Sequence, residues 1–431
     1  MRVLITGASG FIGSRLAVAL REQGHGVVCV LRHPATASTL ACERVLQGDF
    51  ARDQRAGDWR PRLAGIDVVV NAAGILHERR GQHFDDLHVR GPCALFEACV
   101  DARVRRVVQL SALGADVAAS SRYHLSKKAA DDFLLRLPLD AVVVQPSLVY
   151  GPGGASARLF TLLASLPLVP LPGRGAQEVQ PIYIDDLVAA LLALVQGKAL
   201  RGQRVPLVGP RPLALHELLD ELRVGFGLPR ARFVRVPIGL VRLAAAFGAW
   251  CAHCLLDREA LAMLERGNTA SARATELLLR RAPRAPRQFI GADERDAVLT
   301  AARLAWLLPL LRGAVALLWI GTALVSFGLY PVADSIGLLL RVGVPAGLAP
   351  TLLYAAAALD LGFGIATLAL ARRRWLYLAQ LALLLFYSAV IAWRLPEFWL
   401  HPFGPMLKNL PLAAAIVLLL VLDGAPREER S

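Results

Sequence analysis

The first half of the chain alternates short, uniformly apolar runs with longer stretches in which apolar residues recur every three or four positions. The apolar runs predict strands at residues 3–6, 27–31, 67–71, 107–110 and 141–145, with a weaker one near 44–46. The periodic stretches predict helices at residues 11–22, 84–102 and 123–137. Runs without polar alternation are typical of strands buried on both faces, so we predict an α/β fold with a doubly wound parallel sheet.

The pattern is less regular in residues 151–303, where proline and glycine punctuate the chain. We expect a small substrate lobe here, interleaved with the last strands of the sheet. The run 270–287, rich in arginine, alanine and proline, is the expected link to the segment that follows. Residues 1–303 therefore form the first predicted domain.

After residue 303 the chain becomes strongly apolar, and residues 304–431 are predicted to form an all-α domain of four transmembrane helices. The predicted spans are residues 312–330, 346–371, 375–393 and 407–422. A spanning helix needs about 20 apolar residues, which the fourth span reaches only if residues 405–409 lie in the interface. Tyr330, Trp375 and Trp393 stand near span ends, as in an aromatic belt. A buried helical bundle in a soluble protein is the alternative.

The composition of the chain supports the membrane interpretation. Of 431 residues, 55% are hydrophobic, the mean hydropathy is +0.47 and the net charge is +14. The basic residues are scattered, and no nucleic-acid-binding module is found in the sequence. We therefore expect the positive charge to face anionic lipid, and we expect no nucleic-acid partner.

The distribution of arginine and lysine predicts the orientation of the spans. No signal-peptide pattern precedes the first strand, so we expect the catalytic domain to stay in the cytoplasm. The basic residues assigned to the inside are Arg303, Arg312, Arg372, Arg373, Arg374, Arg427 and Arg430. Only Arg341, Arg394 and Lys408 fall in or beside the two outer loops. This bias predicts a multi-pass protein of a bacterial-type inner membrane with both termini cytoplasmic. The C-terminus lies outside instead if residues 407–422 stay at the surface, or if residues 238–256 cross.

The six cysteines show no spacing typical of a secreted disulfide framework, so we expect reduced thiols. Residues 250–254 read Trp-Cys-Ala-His-Cys, which superficially resembles a redox motif. They lie within an apolar helical stretch, residues 238–256, rather than at a strand-to-helix turn. We therefore expect no metal site and no redox role there, and we interpret the stretch as a core helix or a helix in the membrane surface.

A glycine turn joins the first predicted strand to the first helix. Gly7 allows the tight turn, Gly10 lets the backbone approach a pyrophosphate, and Gly13 lets helix and strand pack closely. The free N–H groups of the helix N-terminus then face the phosphates. The sequence thus predicts a Rossmann-type dinucleotide site, with an ordinary strand-to-helix turn as the alternative. Its residues are Thr6, Gly7, Ser9, Gly10, Phe11, Ile12 and Gly13.

The end of the second predicted strand bears on the choice of nucleotide. An NAD site favours an acidic residue there, whereas this strand ends in Arg32, which suits the 2′-phosphate of NADP. NADP is therefore the predicted cofactor, NAD remains possible, and a solvated strand end is the other interpretation of Arg32. Asp49, after the third strand, is positioned to accept a hydrogen bond from the adenine amino group.

Candidate catalytic residues stand at the end of the fifth predicted strand and on the helix after it. Tyr123 and Lys127 are four residues apart and so share one helix face, where an ammonium would lower the pKa of the phenol. Ser111 ends a strand, at the sheet edge where a hydroxyl steadies a substrate carbonyl. Asn71, at the end of the fourth strand, lines the same crevice. A solvated helix face is the alternative for the Tyr-Lys pair.

These motifs, in this order, resemble the short-chain dehydrogenase/reductase family. The segments 145–152 and 182–186 resemble its extended, epimerase/dehydratase-like branch, to which the nucleotide-binding accessory subunit of respiratory complex I also belongs. The resemblance implies that Tyr123 is the general acid/base, that Lys127 binds the nicotinamide ribose, and that Ser111 orients the substrate. It further implies cofactor contacts from Asn71, Ala72, Ala73, Gly74 and Pro146. Ser111 and Tyr123 are only twelve residues apart, which argues against a bulky nucleotide-sugar substrate.

The tail resembles the DoxX-like membrane domain over about residues 304–425, on the segments 401–411 and 359–362. That resemblance implies a membrane redox context without specifying a reaction. Asp360 lies in the middle of the second predicted span, where an ionisable residue is a functional candidate. Helix-to-helix hydrogen bonding is the alternative role for its carboxyl group.

The predicted function is that of a membrane-anchored NAD(P)-dependent oxidoreductase. It acts on a small or lipid-like carbonyl or alcohol, through Ser111, Tyr123 and Lys127. The alternative is a non-catalytic NAD(P)H-binding structural or sensor module that assists a membrane redox complex.

Overall fold

A computed structural model describes residues 1–34, 40–79, 81–248, 258–401 and 404–423. The chain forms two compact units, Met1–Thr300 and Ala301–Ser431.

The first unit is built on a seven-stranded sheet. Its strands are β1 (Arg2–Thr6), β2 (Gly26–Leu31), β3 (Arg44–Gln47), β4 (Val68–Asn71), β5 (Arg106–Leu110), β6 (Ala141–Pro146) and β11 (Gln203–Leu207). They lie in the order β11-β6-β5-β4-β1-β2-β3, and every neighbouring pair is parallel. The predicted doubly wound parallel sheet is therefore confirmed.

Helices follow the strands along the chain. They are α1 (Gly13–Glu22), α2 (Ala56–Trp59), α3 (Gly91–Asp101), α4 (Arg122–Arg136), α5 (Ala155–Ser165), α6 (Ile184–Gln196), α7 (Leu215–Gly225), α8 (Ile238–Gly248), α9 (Arg258–Arg266) and α10 (Arg273–Leu279). A π-helical turn, Asp85–Arg90, leads into α3, and short 3₁₀ turns cover Arg60–Leu63 and Pro286–Gln288.

The apolar runs become strands because the sheet is covered on both faces. Successive residues of β1 point to opposite sides, and the four after Arg2 are buried: Ile5 packs in the cluster that contains Leu16 of α1, and Leu4 in the one that contains Leu95 of α3. Burying such side chains contributes about 1.5–3 kcal/mol each. The same arrangement brings the carboxyl ends of β1, β4 and β5 together at one edge.

The less regular part of the first unit contributes three two-stranded sheets. Strand β7 (Val149–Tyr150) pairs with β10 (Ile182–Tyr183), β8 (Leu168–Pro172) with β13 (Arg232–Val236), and β9 (Glu178–Val179) with β12 (Leu213–Ala214). The first two pairs are parallel and the third is antiparallel. These small sheets lie in the segment predicted to hold the substrate lobe.

The cysteines correct one expectation. Cys29 on β2 and Cys42 form a disulfide, with their Cα atoms 5.9 Å apart, whereas reduced thiols were expected throughout. Spacing along the chain gave no sign of it, because the pair meets only when β3 aligns beside β2. Cys93 and Cys99 are free thiols of α3. The motif at residues 250–254 lies outside the described residues.

The second unit is helical. Its helices are α11 (Arg295–Leu324), which begins in the first unit and continues as a π-helical turn (Val325–Leu329), α12 (Val332–Val342), α13 (Ala349–Ala369), α14 (Arg374–Arg394), α15 (Glu397–Leu400) and α16 (Asn409–Leu422). Among the described residues, three helices are long and apolar enough to cross a membrane: Arg295–Leu329, Ala349–Ala369 and Arg374–Arg394. Three predicted spans are thus confirmed as candidates. The fourth corresponds to α16, whose 14 residues fall short of the usual length.

Two polar features mark the second unit. Asp423, at the end of α16, accepts hydrogen bonds from Arg312 at 2.6 Å and from the Tyr377 hydroxyl at 2.9 Å, and Arg373 lies 3.6 Å away. Asp360 of α13 is 8% exposed, and its Oδ1 atom accepts no hydrogen bond from the residues described. The helix-to-helix hydrogen bond considered for Asp360 is therefore not formed at that oxygen.

Candidate active site

The turn between β1 and α1 has the geometry that its three glycines predict. Gly7 has φ +68°, and a Cβ placed there would lie 2.6 Å from the Ala73 nitrogen. A Cβ on Gly13 would lie 2.2 Å from the Gly7 carbonyl oxygen, so the start of α1 packs directly on the turn. Ser9 and Gly10 at the tip are exposed, and α1 begins only at Gly13. The tip is therefore open to a ligand, with backbone N–H groups near a helix N-terminus, which suits a pyrophosphate.

The side chains of Thr6, Asn71 and Gln109 form a hydrogen-bonded chain across three neighbouring strand ends. The Thr6 hydroxyl donates to Asn71 Oδ1 at 2.6 Å, and Asn71 Nδ2 donates to Gln109 Oε1 at 2.7 Å. All three residues are buried. Thr6 and Asn71 were predicted to contact the cofactor. In the structure their side chains also fix the relative positions of β1, β4 and β5.

Lys127 lies where β4 and β5 end. Its Nζ atom donates to the carbonyl oxygens of Ala73 at 3.3 Å and Leu110 at 3.2 Å, and the residue is 4% exposed. A Cβ on Gly74 would lie 2.8 Å from the same Nζ, so the 71–74 segment wraps closely around the ammonium. The structure thus brings the predicted Lys127, Ala73 and Gly74 together at the carboxyl edge of the sheet.

Tyr123 stands one turn before Lys127 on α4, a helix whose N-cap is Ser121. Its ring contacts those of Phe84, His88 and His124 at centroid distances of 6.0, 5.6 and 5.3 Å. The shared face of Tyr123 and Lys127 is confirmed by the helix, and Lys127 does not lie on a solvated surface.

The protonation of this pair differs from the expectation. Burial raises the pKa of Tyr123 to about 12, and the charge of Asp131 adds to the rise. Burial also lowers the pKa of Lys127 to about 8, against the opposing effect of Asp131. The sequence argument held that the ammonium would lower the pKa of the tyrosine. Here burial is the main cause and it acts in the opposite direction, so at neutral pH Tyr123 is a phenol and therefore a proton donor.

Ser111 and Asp131 form a second buried pair in the site. The Ser111 hydroxyl donates to Asp131 Oδ2, and the two residues are 6% and 0% exposed. The hydroxyl that was predicted to orient a substrate is thus directed to a carboxylate. Asp131 was missed by the sequence argument, although its position four residues after Lys127 on α4 marks it as facing the same way.

His88, within the π-helical turn, was also missed. Its Nε2 atom accepts a hydrogen bond from the Ile75 amide at 3.0 Å, and its Nδ1 atom lies 2.9 Å from the Ser126 hydroxyl. Burial, together with the charge of Lys127, lowers the pKa of His88 to about 2. The ring is therefore neutral, its Nδ1–H donates to Ser126, and it connects the segment after β4 to α4.

The residues predicted to contact the adenosine part of the cofactor lie after β2 and β3. Arg32 follows β2 and is exposed, and its carbonyl oxygen accepts from Gln47 Nε2 at 3.5 Å. Asp49 Oδ1 accepts from the Ala51 amide at 3.1 Å. On the other side, Pro146 ends β6, and its carbonyl oxygen accepts from the Leu113 amide at 2.9 Å.

The remaining predicted turn residues face the loop after β7. A Cβ on Gly154 would lie 2.9 Å from Cζ of Phe11, and the Arg15 guanidinium lies 4.6 Å from the centre of the Phe11 ring and donates to the Pro152 carbonyl at 2.5 Å. The carbonyl of Ile12 accepts from the Leu16 amide in the first turn of α1. The 151–154 loop thus lies beside the glycine turn, at the edge of the crevice where nucleotides bind in such sheets.

Comparison with known proteins identifies both units. Residues 3–206 match the NAD dependent epimerase/dehydratase family, and residues 316–417 match the DoxX-like family. The resemblances stated from the sequence are thereby confirmed.

Three curated relatives are similar to part of this chain. Ceramide reductase of Caulobacter vibrioides is 31% identical over 265 residues, which are 58% of this chain and 78% of that protein. The mitochondrial NADH dehydrogenase [ubiquinone] 1 alpha subcomplex subunit 9 of Arabidopsis thaliana is 28% identical, over 56% of this chain and 62% of that protein. The 2-alkyl-3-oxoalkanoate reductase of Stenotrophomonas maltophilia is 27% identical, over 53% and 77%.

Solved structures show the same fold. The UDP-glucuronic acid 4-epimerase of Bacillus cereus, in complex with UDP-glucuronic acid and NAD, superposes with a TM-score of 0.51 at 18% identity. The match covers 71% of this chain and all of that one. At this identity the comparison carries the Rossmann-like architecture and no more.

Proposed function

The chain belongs to the NAD dependent epimerase/dehydratase family, and from that premise we propose that it is a membrane-anchored NAD(P)H-dependent reductase of a lipid-like carbonyl compound. One observation carries the proposal. A buried lysine and a protonated tyrosine share a helix face at the carboxyl edge of the sheet, beside an open glycine turn.

Each residue has a role in that reaction. The bound nicotinamide supplies the hydride. Tyr123, a phenol at neutral pH, donates its proton to the oxygen of the substrate as that oxygen gains negative charge. Lys127, charged below about pH 8, donates hydrogen bonds to the nicotinamide ribose and stabilises the tyrosinate left behind. Ser111 is the residue proposed to orient the carbonyl, which requires its hydroxyl to turn from Asp131 when substrate binds.

We assign the pyrophosphate to the exposed tip of the glycine turn and the adenosine to the ends of β2 and β3. Arg32 is exposed there, where a guanidinium suits the 2′-phosphate, and this supports NADP over NAD. Asp49 has one oxygen that no residue described occupies, which supports a contact with the adenine amino group.

Two kinds of observation support a lipid-like substrate. Two relatives are named as reductases, one of ceramide and the other of 2-alkyl-3-oxoalkanoates. Within the described residues three helices are also apolar enough to span a membrane, which supports attachment of the first unit to the bilayer in which such molecules dissolve. The short connection between Ser111 and Tyr123 argues further against a nucleotide-sugar.

A non-catalytic role is the second candidate. The relative from Arabidopsis is named as a subunit of NADH dehydrogenase, and the Ser111 hydroxyl is directed to Asp131. Both observations suit a module that binds NAD(P)H and assists a membrane redox complex without turnover.

Two variants separate the candidates. Tyr123→Phe removes the proposed proton donor and leaves the ring contacts in place, so reduction should fall by roughly 100-fold or more while cofactor binding persists. Gly10→Val blocks the pyrophosphate and should abolish both candidate functions. Tyr183→Phe is the matched control, since its ring packs on Phe289 at 5.3 Å, outside the site.

The measurement combines complementation of cells that require the protein with mass spectrometry of their lipids and quinones. Lipid changes that appear with both Tyr123→Phe and Gly10→Val, and not with Tyr183→Phe, identify the substrate. Full complementation by Tyr123→Phe alongside failure of Gly10→Val would refute catalysis and favour the non-catalytic module.

A further inference from the structure

The small β8–β13 sheet and the helix that follows it expose an apolar surface. Alternate residues of β8 are exposed and buried, as in a strand with one face in solvent. Val234 of β13 lies beside Pro170 of β8 in the parallel register and shares this outer face. Helix α8 begins two residues after β13 ends and adds two exposed leucines. Four large apolar side chains here are between 46% and 57% exposed: Leu168, Val234, Leu240 and Leu243. Such a group on adjoining elements, unlike a single exposed leucine, indicates an interaction surface.

The same two segments are basic. Residues 166–176 and 228–243 include five arginines and neither aspartate nor glutamate. Arg242 forms an ion pair with Glu265 at 3.0 Å. The other four are exposed and form no ion pair in the part of the chain that the structure describes: Arg174, Arg230, Arg232 and Arg235. Exposed apolar side chains interspersed with arginines are typical of a surface that binds the boundary of an anionic bilayer.

The connection of this unit to an apolar helix favours lipid as the occupant. The helical segment Arg295–Leu329 is long and apolar enough to cross a membrane. It begins six residues after Phe289, which is buried in the core of the first unit. With so short a connection, the first unit cannot move far from the bilayer. Contacts too weak to hold a free protein on lipid therefore suffice, because the tether makes docking intramolecular. A partner protein has no such advantage.

We propose that this face of the β8–β13 sheet and α8 is a docking surface for the anionic lipid leaflet beside the first unit. Its four exposed apolar side chains enter the headgroup boundary, where they leave water. The four arginines without an ion pair bind lipid phosphates. Docking of this kind requires neither cofactor nor turnover, so it goes beyond the proposed reaction.

Helix α9 connects the docking surface to the candidate active site. It packs against α8 through a small apolar cluster. At the end of α9, Arg266 donates to the Gly114 carbonyl oxygen at 2.7 Å and to the two carboxylate oxygens of Asp116 at 2.6 and 2.8 Å. Gly114 and Asp116 belong to the loop that precedes Tyr123 on α4. One helix thus separates the docking surface from that loop, which suits uptake of a substrate from lipid, and this last step alone rests on the proposed function.

Contact with lipid can be measured with an environment-sensitive fluorophore on the full-length chain in nanodiscs of phosphatidylcholine and phosphatidylglycerol. The fluorophore is attached to Val234→Cys or Leu240→Cys, in a background that keeps only the Cys29–Cys42 pair. Val18→Cys is the matched control, since Val18 is 44% exposed and lies on α1, which packs on α6 and β2. Emission at 234 and 240 should shift to the blue, and lipids brominated on their acyl chains should quench it roughly twofold or more beyond the control.

Removal of charge tests the role of the arginines. In nanodiscs that contain phosphatidylglycerol, Arg232→Gln combined with Arg235→Gln should lower the docking equilibrium constant by about fivefold for each charge removed. In phosphatidylcholine alone, this variant and the wild type should give the same emission. Arg21→Gln, which removes an exposed arginine of α1, is the matched control and should leave docking unchanged. Because every substituted residue is exposed, the variants should fold as the wild type does.

Three results would overturn the inference. One is quenching at 234 and 240 that does not exceed quenching at 18, and another is full docking of the double arginine variant on phosphatidylglycerol. The third is a blue shift that appears in native membranes and not in nanodiscs of the purified chain, which would assign the surface to a partner protein. None of these results affects the reductase proposal, because that proposal is decided by Tyr123→Phe. Conversely, loss of the reductase proposal leaves lipid contact measurable.

Discussion

The three glycines of the turn differ in what a methyl group would meet, and this difference yields a quantitative prediction. In Gly13→Ala the new Cβ would lie 2.2 Å from the carbonyl oxygen of Gly7 and 2.9 Å from its carbonyl carbon. Both are backbone atoms, so the turn or α1 must move by about 1 Å to restore a normal contact. Overpacking of this kind costs roughly 1–3 kcal/mol or more. Gly10→Ala, by contrast, meets only the Gly7 oxygen, at 3.1 Å, and should lose less than about 0.5 kcal/mol.

Thermal unfolding with and without NADPH separates the two effects. At roughly 2–4 °C per kcal/mol, Gly13→Ala should lower the midpoint of the first unit by about 2–12 °C. Gly10→Ala should keep the wild-type midpoint without cofactor and lose about half or more of the stabilisation by cofactor, which is about 2.7 kcal/mol for the wild type at a hundredfold excess over Kd. Its methyl group lies where the pyrophosphate must approach the backbone, so affinity should fall at least tenfold, about 1.4 kcal/mol. The reasoning is refuted if Gly10→Ala binds NADPH within twofold of the wild type, or if both variants melt alike.

Two further predictions concern the nucleotide and the membrane. Calorimetric titration should show tighter binding of NADPH than of NADH, and Arg32→Ala should reduce this difference in affinity. Equal affinities for the two nucleotides in the wild-type protein would contradict the role of Arg32. Both termini are predicted to be cytoplasmic, which requires α16 (Asn409–Leu422) to cross despite its 14 residues. The test is a single cysteine placed after Gly424, in a background that keeps only the Cys29–Cys42 pair. In intact cells this cysteine should not be labelled by an impermeant maleimide. Labelling would indicate an odd number of membrane crossings.

The sheet was predictable because its central strands are buried on both faces. Strands β1, β2, β4, β5 and β6 are buried along nearly their whole length and are mostly apolar, and such runs stand out in the sequence. The seventh strand, β11, was not predicted. It lies at the edge, where Gln203 and Arg204 are exposed, and it contains Pro206. Helix α12 (Val332–Val342) was missed for a related reason, since its 11 residues merge with the apolar segments around it.

The candidate site was predictable where chemistry follows from spacing and unpredictable where it depends on burial. The four-residue interval placed Tyr123 and Lys127 on one face, as the helix has them. The predicted direction of the pKa shift of Tyr123 was wrong, because the degree of desolvation depends on rings and strands that are distant in sequence. The pairing of Ser111 with Asp131 joins residues 20 apart in different elements, and no local pattern reports it.

The order of the two units along the chain has a consequence for biosynthesis. The core of the first unit is closed by Phe289, whose ring stacks on Tyr150 at 5.0 Å, and α11 begins only six residues later, at Arg295. At roughly 5–20 residues per second, a ribosome needs about 7–26 s to synthesise the 131 residues of Ala301–Ser431. A seven-stranded parallel sheet is dominated by distant pairings and closes slowly. β11, the last of its strands, ends at Leu207, so the whole sheet has been synthesised before any apolar helix of the second unit, and its strand edges stay unpaired only until the sheet closes.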